Sequence, residues 1–198
     1  MTAVPEFSPG ARERKKQATR GRIESAALEL FADKGFDATT VDEIAARAMV
    51  SPRTFFRYFA TKDDVVFGGR ATQLEALDRA VSERPPGEPP KAVVCNALVT
   101  FSEFLQDHGG AFLAHRRLTE RNPSLLGSVL IEEQQWEDKL ARALADQTGR
   151  SEPSFELRVL AGTGIAALSV AVREWYAGGG ESALPALTRL AVSSVVGA

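Results

Sequence analysis

The chain is poor in the side chains that build catalytic and metal centres. One cysteine, Cys95, stands alone in 198 residues, so no disulfide can close within the chain and no second thiolate can share a metal. Its neighbours Val93, Val94, Ala97 and Leu98 are apolar, which reads as a buried structural thiol. The two histidines, His108 and His115, flank a Gly109-Gly110 break and lack the four-residue spacing of a metal-binding pair on one helix. No G-x-S-x-G nucleophile turn and no glycine loop leading to a basic residue is present, and Gly162-Thr163-Gly164 follows no strand, so it reads as a point of close helix packing. Catalysis, a metal and a cofactor have no candidate residues. Runs of eighteen apolar residues free of charge are missing too, as is an apolar leader core at the start, so a cytoplasmic chain with no membrane contact is expected. Strand-like alternation of useful length is also absent, which leaves an all-α fold.

What is present is organised around residues 35–62. Thr40 and Glu43 have the spacing of a capping box for a short helix over about residues 41–48. Ser51 is placed to cap a second helix with Pro52 in its first turn, where the missing N–H is harmless. Only Met49 and Val50 separate the first helix from the second cap, which forces a sharp turn and a steep crossing: a helix-turn-helix.

Overall the chain has 24 basic against 26 acidic residues, yet from Arg47 to Lys62 the bases Arg47, Arg53, Arg57 and Lys62 meet no acid. Phe55 and Phe59, four apart, share one face of the second helix and leave Arg53, Thr54, Phe56, Arg57 and Tyr58 around the outside. Such a surface is either an ordinary solvated helix or a major-groove reader, in which Arg takes guanine edges, Thr and Phe touch thymine methyls, and Tyr and Lys hold phosphates.

The segments Arg22-Ile23-x-x-Ala26-Ala27-x-x-Leu30-Phe31, Gly35-Phe36-x-x-Thr39-Thr40-Val41-x-x-Ile44-Ala45 and Val50-Ser51-x-x-Thr54-Phe55-Phe56-Arg57-Tyr58-Phe59-x-x-Lys62 resemble the amino-terminal domain of TetR-type (tetracycline-repressor-like) transcriptional regulators. The resemblance covers about forty residues. It implies double-stranded operator DNA as partner, with Arg53, Thr54 and Phe56 toward the bases, Thr40, Arg57, Tyr58 and Lys62 toward phosphates, and Ser51 at the helix start. Phe56 departs from the family's usual tyrosine, so contact there must be apolar. Further on, Arg117-x-x-x-Arg121-Asn122-Pro123 resembles a subset that includes mycofactocin-associated regulators.

In chain order, residues 1–18 read as a mobile basic tail, 19–62 as the DNA-binding domain and 63–198 as a connecting helix plus a ligand-binding and dimerisation domain. Residues 11–22 hold Arg12, Arg14, Lys15, Lys16, Arg20 and Arg22 against Glu13 alone, a stretch suited to the phosphate backbone. The first ordered helix is expected to carry Ile23, Ala27, Leu30 and Phe31 on one face and to stop at Gly35. A connecting helix is expected from Thr61 to about Glu83. The segment Arg84-Pro85-Pro86-Gly87-Glu88-Pro89-Pro90 cannot be helical and reads as the boundary between the DNA-reading part and the rest. Helices are then expected over 91–107, 111–121, from about 122 to 149, over 153–177 and over 181–196.

The last two helices have more apolar faces than one core needs. Gly162, Ile165, Ala166 and Ser169, with Leu184, Leu187 and Leu190, are the expected homodimer interface, which would set two reading helices about 34 Å apart along DNA. Phe101, Phe104, Leu105, Phe112, Trp136 and Leu140 are either plain core or the lining of a pocket. The resemblance implies a pocket for a small hydrophobic effector, acyl or anionic if Arg117 meets its charge, and a ligand-responsive repressor. The competing class is a helical protein for acyl or other hydrophobic ligands that has lost DNA binding, favoured by Phe56.

Overall fold

In the computed structural model the described residues are 10–67, 69–108, 118, 122 and 125–197. Among them every regular element is helical: α1 Ala11–Lys34, α2 Val41–Arg47, α3 Pro52–Tyr58, α4 Asp63–Val66, α5 Arg70–Ser82, α6 Pro90–Asp107, α7 Leu126–Gln147, α8 Phe155–Ala177 and α9 Leu184–Val196. The chain divides into two compact units, residues 1–68 and 69–198.

The first unit has its own core. Ile23, Ala27, Leu30 and Phe31 of α1, Ile44 and Ala45 of α2, and Phe55 of α3 are buried, as are Phe36, Phe59 and Val65. Phe31 meets Phe36 at 5.0 Å between ring centroids, and Phe55 meets Phe59 at 5.7 Å. The apolar spacing along each helix thus converges on one centre, and packing on α1 holds the seven-residue α2 and α3, which are too short to be stable alone.

Helix α1 begins at Ala11, so residues 11–18 are helix and not a tail. The physical reason is that Ala, Lys, Arg and Gln favour helix and no breaker lies between Gly10 and Gly35 except Gly21, which a long helix tolerates. An Arg20–Glu24 pair at 3.0 Å bridges successive turns across Gly21. The connecting helix also differs from expectation. It is interrupted between Val66 and Arg70, where Phe67 is buried and the sequence reads Gly68-Gly69, two residues that each cost about 1 kcal/mol in a helix. The division between the compact units falls there, and the proline-rich segment lies inside the second unit. Glu88 explains how that segment is held: it accepts two hydrogen bonds from Arg84, at 2.8 and 3.2 Å, and one from Asn96 at 2.7 Å.

The second unit packs α5, α6, α7, α8 and α9 around one hydrophobic core that includes Leu77, Leu98, Phe101, Leu140, Leu144, Leu168 and Trp175. Helix α8 is its centre, and of the described helices it alone is long and apolar enough to cross a membrane. Here those apolar residues serve the core: Leu157, Ala161, Ile165, Leu168 and Val172 are buried. A Cβ on Gly164 would come within 2.7 Å of a Val94 methyl and 3.0 Å of a Leu98 methyl, so this glycine lets α6 and α8 approach closely. Gln106 accepts a hydrogen bond from the Leu184 N–H at 2.7 Å and Asn96 one from Arg189 at 3.5 Å, which ties α9 along α6 in the opposite sense.

Of the expected dimer residues, Ile165, Ser169 and Leu184 are buried within the chain's own unit, Gly162 and Leu187 are half-buried, and Ala166 and Leu190 are exposed. The exposed apolar stripe is therefore turned from the expected one and runs through Val159, Ala166 and Val170 on α8.

Candidate nucleic-acid interface and effector layer

Both helices of the motif, α2 and α3, are capped at their starts. Thr40 and Glu43 form the complete capping box: the Glu43 carboxylate accepts from the Thr40 N–H at 2.9 Å, and the Glu43 N–H donates to the Thr40 hydroxyl at 3.3 Å. Lys34 donates to the same carboxylate. That hydrogen bond, with those from the Thr40 N–H and hydroxyl, holds the Glu43 carboxyl well below its ordinary value, at about 2. Ser51 accepts from the Thr54 N–H at 3.1 Å, and its hydroxyl lies 3.0 Å from that of Thr54. Thr40, Ser51 and Thr54 thus shape the motif.

The turn between α2 and α3 has the hydrogen bonds of a Schellman motif: Val50 N–H to the Ala45 carbonyl at 2.9 Å, and Met49 N–H to the Ala46 carbonyl at 3.1 Å. Met49 has φ 56°, the left-handed region, and no other described non-glycine residue does. The turns after α7 and α8 use Gly149 and Gly179 for the same purpose. Thr61 and Asp64 exchange hydrogen bonds of 2.8 and 3.2 Å ahead of α4, as the sequence suggests.

On α3, Arg53, Phe56 and Arg57 are exposed, while Thr54 and Tyr58 are half-buried. Phe56 is 55% exposed, too open for a core residue, and stands edge-on to the buried Phe55 ring at 5.5 Å. The Arg57 guanidinium lies 5.2 Å from the Tyr58 ring centroid. The other two bases of the segment are engaged within the unit. Arg47 donates to Glu29 at 3.0 Å. Lys62 donates to the carbonyls of Phe36 at 2.8 Å and Thr39 at 3.1 Å, with its ammonium 4.3 Å from the Phe36 ring centroid. The positive surface of α3 thus narrows to Arg53 and Arg57.

In the second unit, Phe101, Leu105, Trp136 and Leu140 are buried in one core and Phe104 is partly buried against it. Phe101 stacks on Phe104 at 6.3 Å and meets Trp136 edge-on at 5.3 Å. Phe112 and Arg117 lie outside the described residues. Ser169, expected at the dimer interface, donates its hydroxyl to Glu133 at 2.8 Å, and among groups that the sequence did not single out Arg70 donates to the Ser128 carbonyl at 2.8 Å and lies 4.0 Å from the buried Glu132 carboxylate. Only the tertiary register brings these together, which is why spacing along the sequence gave no sign of them. Among the described residues no group of three or more His, Cys, Asp or Glu side chains is arranged to hold a metal.

Residues 23–67 match the profile of bacterial regulatory proteins of the tetR family, and residues 88–197 match the MftR C-terminal domain. The chain belongs to the TetR family of transcriptional regulators. It is a DNA-binding regulator of the subset whose carboxy-terminal domain is of the MftR kind, and its relatives are transcriptional regulators. It is 36% identical over 175 residues to the HTH-type transcriptional regulator TcmR of Streptomyces glaucescens, a match spanning 85% of this chain and 77% of TcmR. Its fold is similar to that in the SmeT–triclosan complex, with a TM-score of 0.64, 18% identity and 91% of each chain covered. It is also similar to FadR of Thermus thermophilus in complex with lauroyl-CoA, with a TM-score of 0.56, 24% identity, and 89% of this chain and 93% of that one covered.

Proposed function

We propose that this regulator is a homodimeric repressor whose α3 helices read an operator and whose second unit binds a small hydrophobic effector that releases it. The observation that carries the reading is the α3 surface: Arg53, Phe56 and Arg57 are exposed on a helix whose start is capped by Ser51 and whose inner face is anchored by Phe55. Arg53 and Phe56 are suited to guanine edges and thymine methyls, and Arg57 and Tyr58 to phosphates. Ser51 caps the reading helix and Thr40 caps α2, the helix before it. The aromatic layer of Phe101, Phe104 and Trp136 supplies apolar walls for an effector, and the structural neighbours in complex with triclosan and with lauroyl-CoA hold hydrophobic ligands on the same fold. A cytoplasmic site of action follows from this role. An effector that binds the DNA-incompetent arrangement more tightly shifts the population off the operator.

The test is binding of the purified chain to the DNA upstream of its own gene, titrated at two salt concentrations beside an unrelated duplex. Tight binding that resists competitor is expected. Arg53→Ala should cost about 1–3 kcal/mol and relax preference at one operator position. Equal, salt-labile binding to both duplexes would favour the ligand-binding protein with lost DNA recognition.

A further inference from the structure

Two buried polar atoms of the second unit have no hydrogen-bond partner among the described residues: the indole N–H of Trp136 and the side-chain oxygen of Gln73. Trp136 is 4% exposed. One is a donor and the other an acceptor, and they come from helices packed side by side. The register of that packing is set at two points: Arg70 on α5 reaches Ser128 and Glu132 on α7, and Asp78 on α5 pairs with Lys139 on α7 at 2.7 Å. The two helices therefore run in the same sense. By that register Gln73, one turn after Arg70, falls at the level of the α7 turn that runs from Glu132 to Trp136. On its far side Trp136 packs edge-on against Phe101, so the indole N–H belongs to a layer with aromatic walls.

Buried donors and acceptors are almost always paired, and complementary orphans at one level of a core are where a ligand's polar group would be recognised. A hydroxyl both donates and accepts, so a single one can satisfy both. Carboxylates cannot do the same, since an ionised carboxylate only accepts. The layer is also unfavourable to an anion. Glu132, Glu133 and Glu137 sit on adjoining turns of α7, Glu132 near Arg70 on α5 and the other two toward Ser169 and Gly162 on α8. Burial, with the neighbouring Glu133 and Asp138 charges, raises the Glu137 carboxyl above its ordinary value.

We infer that Gln73 and Trp136 form the polar recognition point of the effector site, and that the effector is a neutral, hydroxyl-bearing hydrophobic molecule rather than a fatty acid or its thioester. The inference rests on the reading of the second unit as effector-binding. It differs from the anionic class that Arg117 suggested, and it adds Gln73, a residue that no apolar periodicity marks.

The test uses the full chain and three probes with one ring system: 4-phenylphenol, biphenyl and biphenyl-4-carboxylate, titrated by calorimetry without DNA. The wild type should bind 4-phenylphenol at least tenfold more tightly than either of the others. Trp136→Phe, which keeps an aromatic ring but removes the N–H, and Gln73→Leu, which keeps the volume but removes the acceptor, should each abolish that preference. Gln73→Leu should melt at or above the wild-type temperature because it removes a buried orphan, so this variant carries the test even if Trp136→Phe folds poorly. Equal binding of all three probes, binding of none, preference for the carboxylate, or preference retained in Gln73→Leu would overturn the inference. Release from operator DNA is read separately by gel shift. Selective binding without release would leave this site standing and defeat the repressor-release reading, whereas release by a carboxylate probe without hydroxyl preference would defeat the site alone.

Discussion

Met49 occupies the position that Gly149 and Gly179 hold in the corresponding turns of the second unit, and it does so with a Cβ. A left-handed conformation costs an L-residue about 1–2 kcal/mol relative to glycine, part of which glycine loses again through its freer unfolded chain. Met49 is 80% exposed, so its side chain contributes little packing to offset that cost. Met49→Gly should therefore stabilise the first unit by about 0.5–1 kcal/mol, measured as a raised melting temperature of the full chain; a lowered one would mean that the methionine makes a contact worth more than the strain. At Lys62 the expectation inverts. Its ammonium is bonded to carbonyls of the α1–α2 connection, and charge-assisted bonds of this kind contribute about 1.5–3 kcal/mol when shielded, less at this half-buried site. Lys62→Ala should lower stability by about 1–2 kcal/mol while leaving the salt dependence of DNA binding as in the wild type. A flattened salt slope with unchanged melting would return Lys62 to the phosphate backbone.

Helix boundaries in this chain are legible wherever a residue with one physical preference marks them. Thr40 with Glu43, Ser51 with Pro52, Pro90, Gly149 and Gly178 each stand where the structure begins or ends a helix, because capping and backbone restriction act within a few residues. The start of α1 has no such mark: a solvated basic helix and a solvated basic coil carry the same hydropathy, and only the propensity of Lys, Arg and Ala separates them. Surplus apolar area on α8 and α9 was legible in the sequence, but which residues expose it was not, since a helix rotated by one position exchanges Ile165 for Ala166. That Gln73 and Trp136 each bury a polar atom without a partner was beyond the sequence altogether. Close helix packing at the Gly162-Thr163-Gly164 segment was legible, and the structure divides the two glycines. Gly162→Ala meets only ordinary contact, 3.7 Å from Glu137, and should stabilise α8 by about 0.5–1 kcal/mol. Gly164→Ala meets a stiff valine at 2.7 Å, an overpacking cost of about 1–3 kcal/mol that outweighs the same helical gain. Thermal denaturation of the two variants should move in opposite directions; parallel shifts would show that α6 and α8 can part without cost.

At the scale of the whole molecule, one reading head is too small for a selective address. An α3 with two exposed arginines covers a few base pairs, and two such heads on one duplex turn their second binding event into an intramolecular one, raising affinity by about 10²–10⁴ without a new contact. What would join the heads is the proposed dimer, and part of the apolar area exposed on the second unit is its candidate surface: Val159, Ala166 and Val170 on α8 and Leu190 on α9, the last 68% exposed and lining a shallow groove of about 510 Å³ between α6 and α9. Glu103 and Arg189 line that groove with opposite charge, an arrangement that a two-fold axis can pair with itself. Leu190→Glu adds a charge at a position that contributes little to the fold, so melting of the isolated chain should change by no more than about 0.5 kcal/mol at protein concentrations where it is monomeric. Sedimentation should then show a monomer where the wild type is a dimer, and affinity for a two-half-site operator should fall by about 10²–10⁴ while affinity for a single half-site stays constant. A variant that still sediments as a dimer and binds both DNAs as the wild type does would place the dimer interface elsewhere on the second unit.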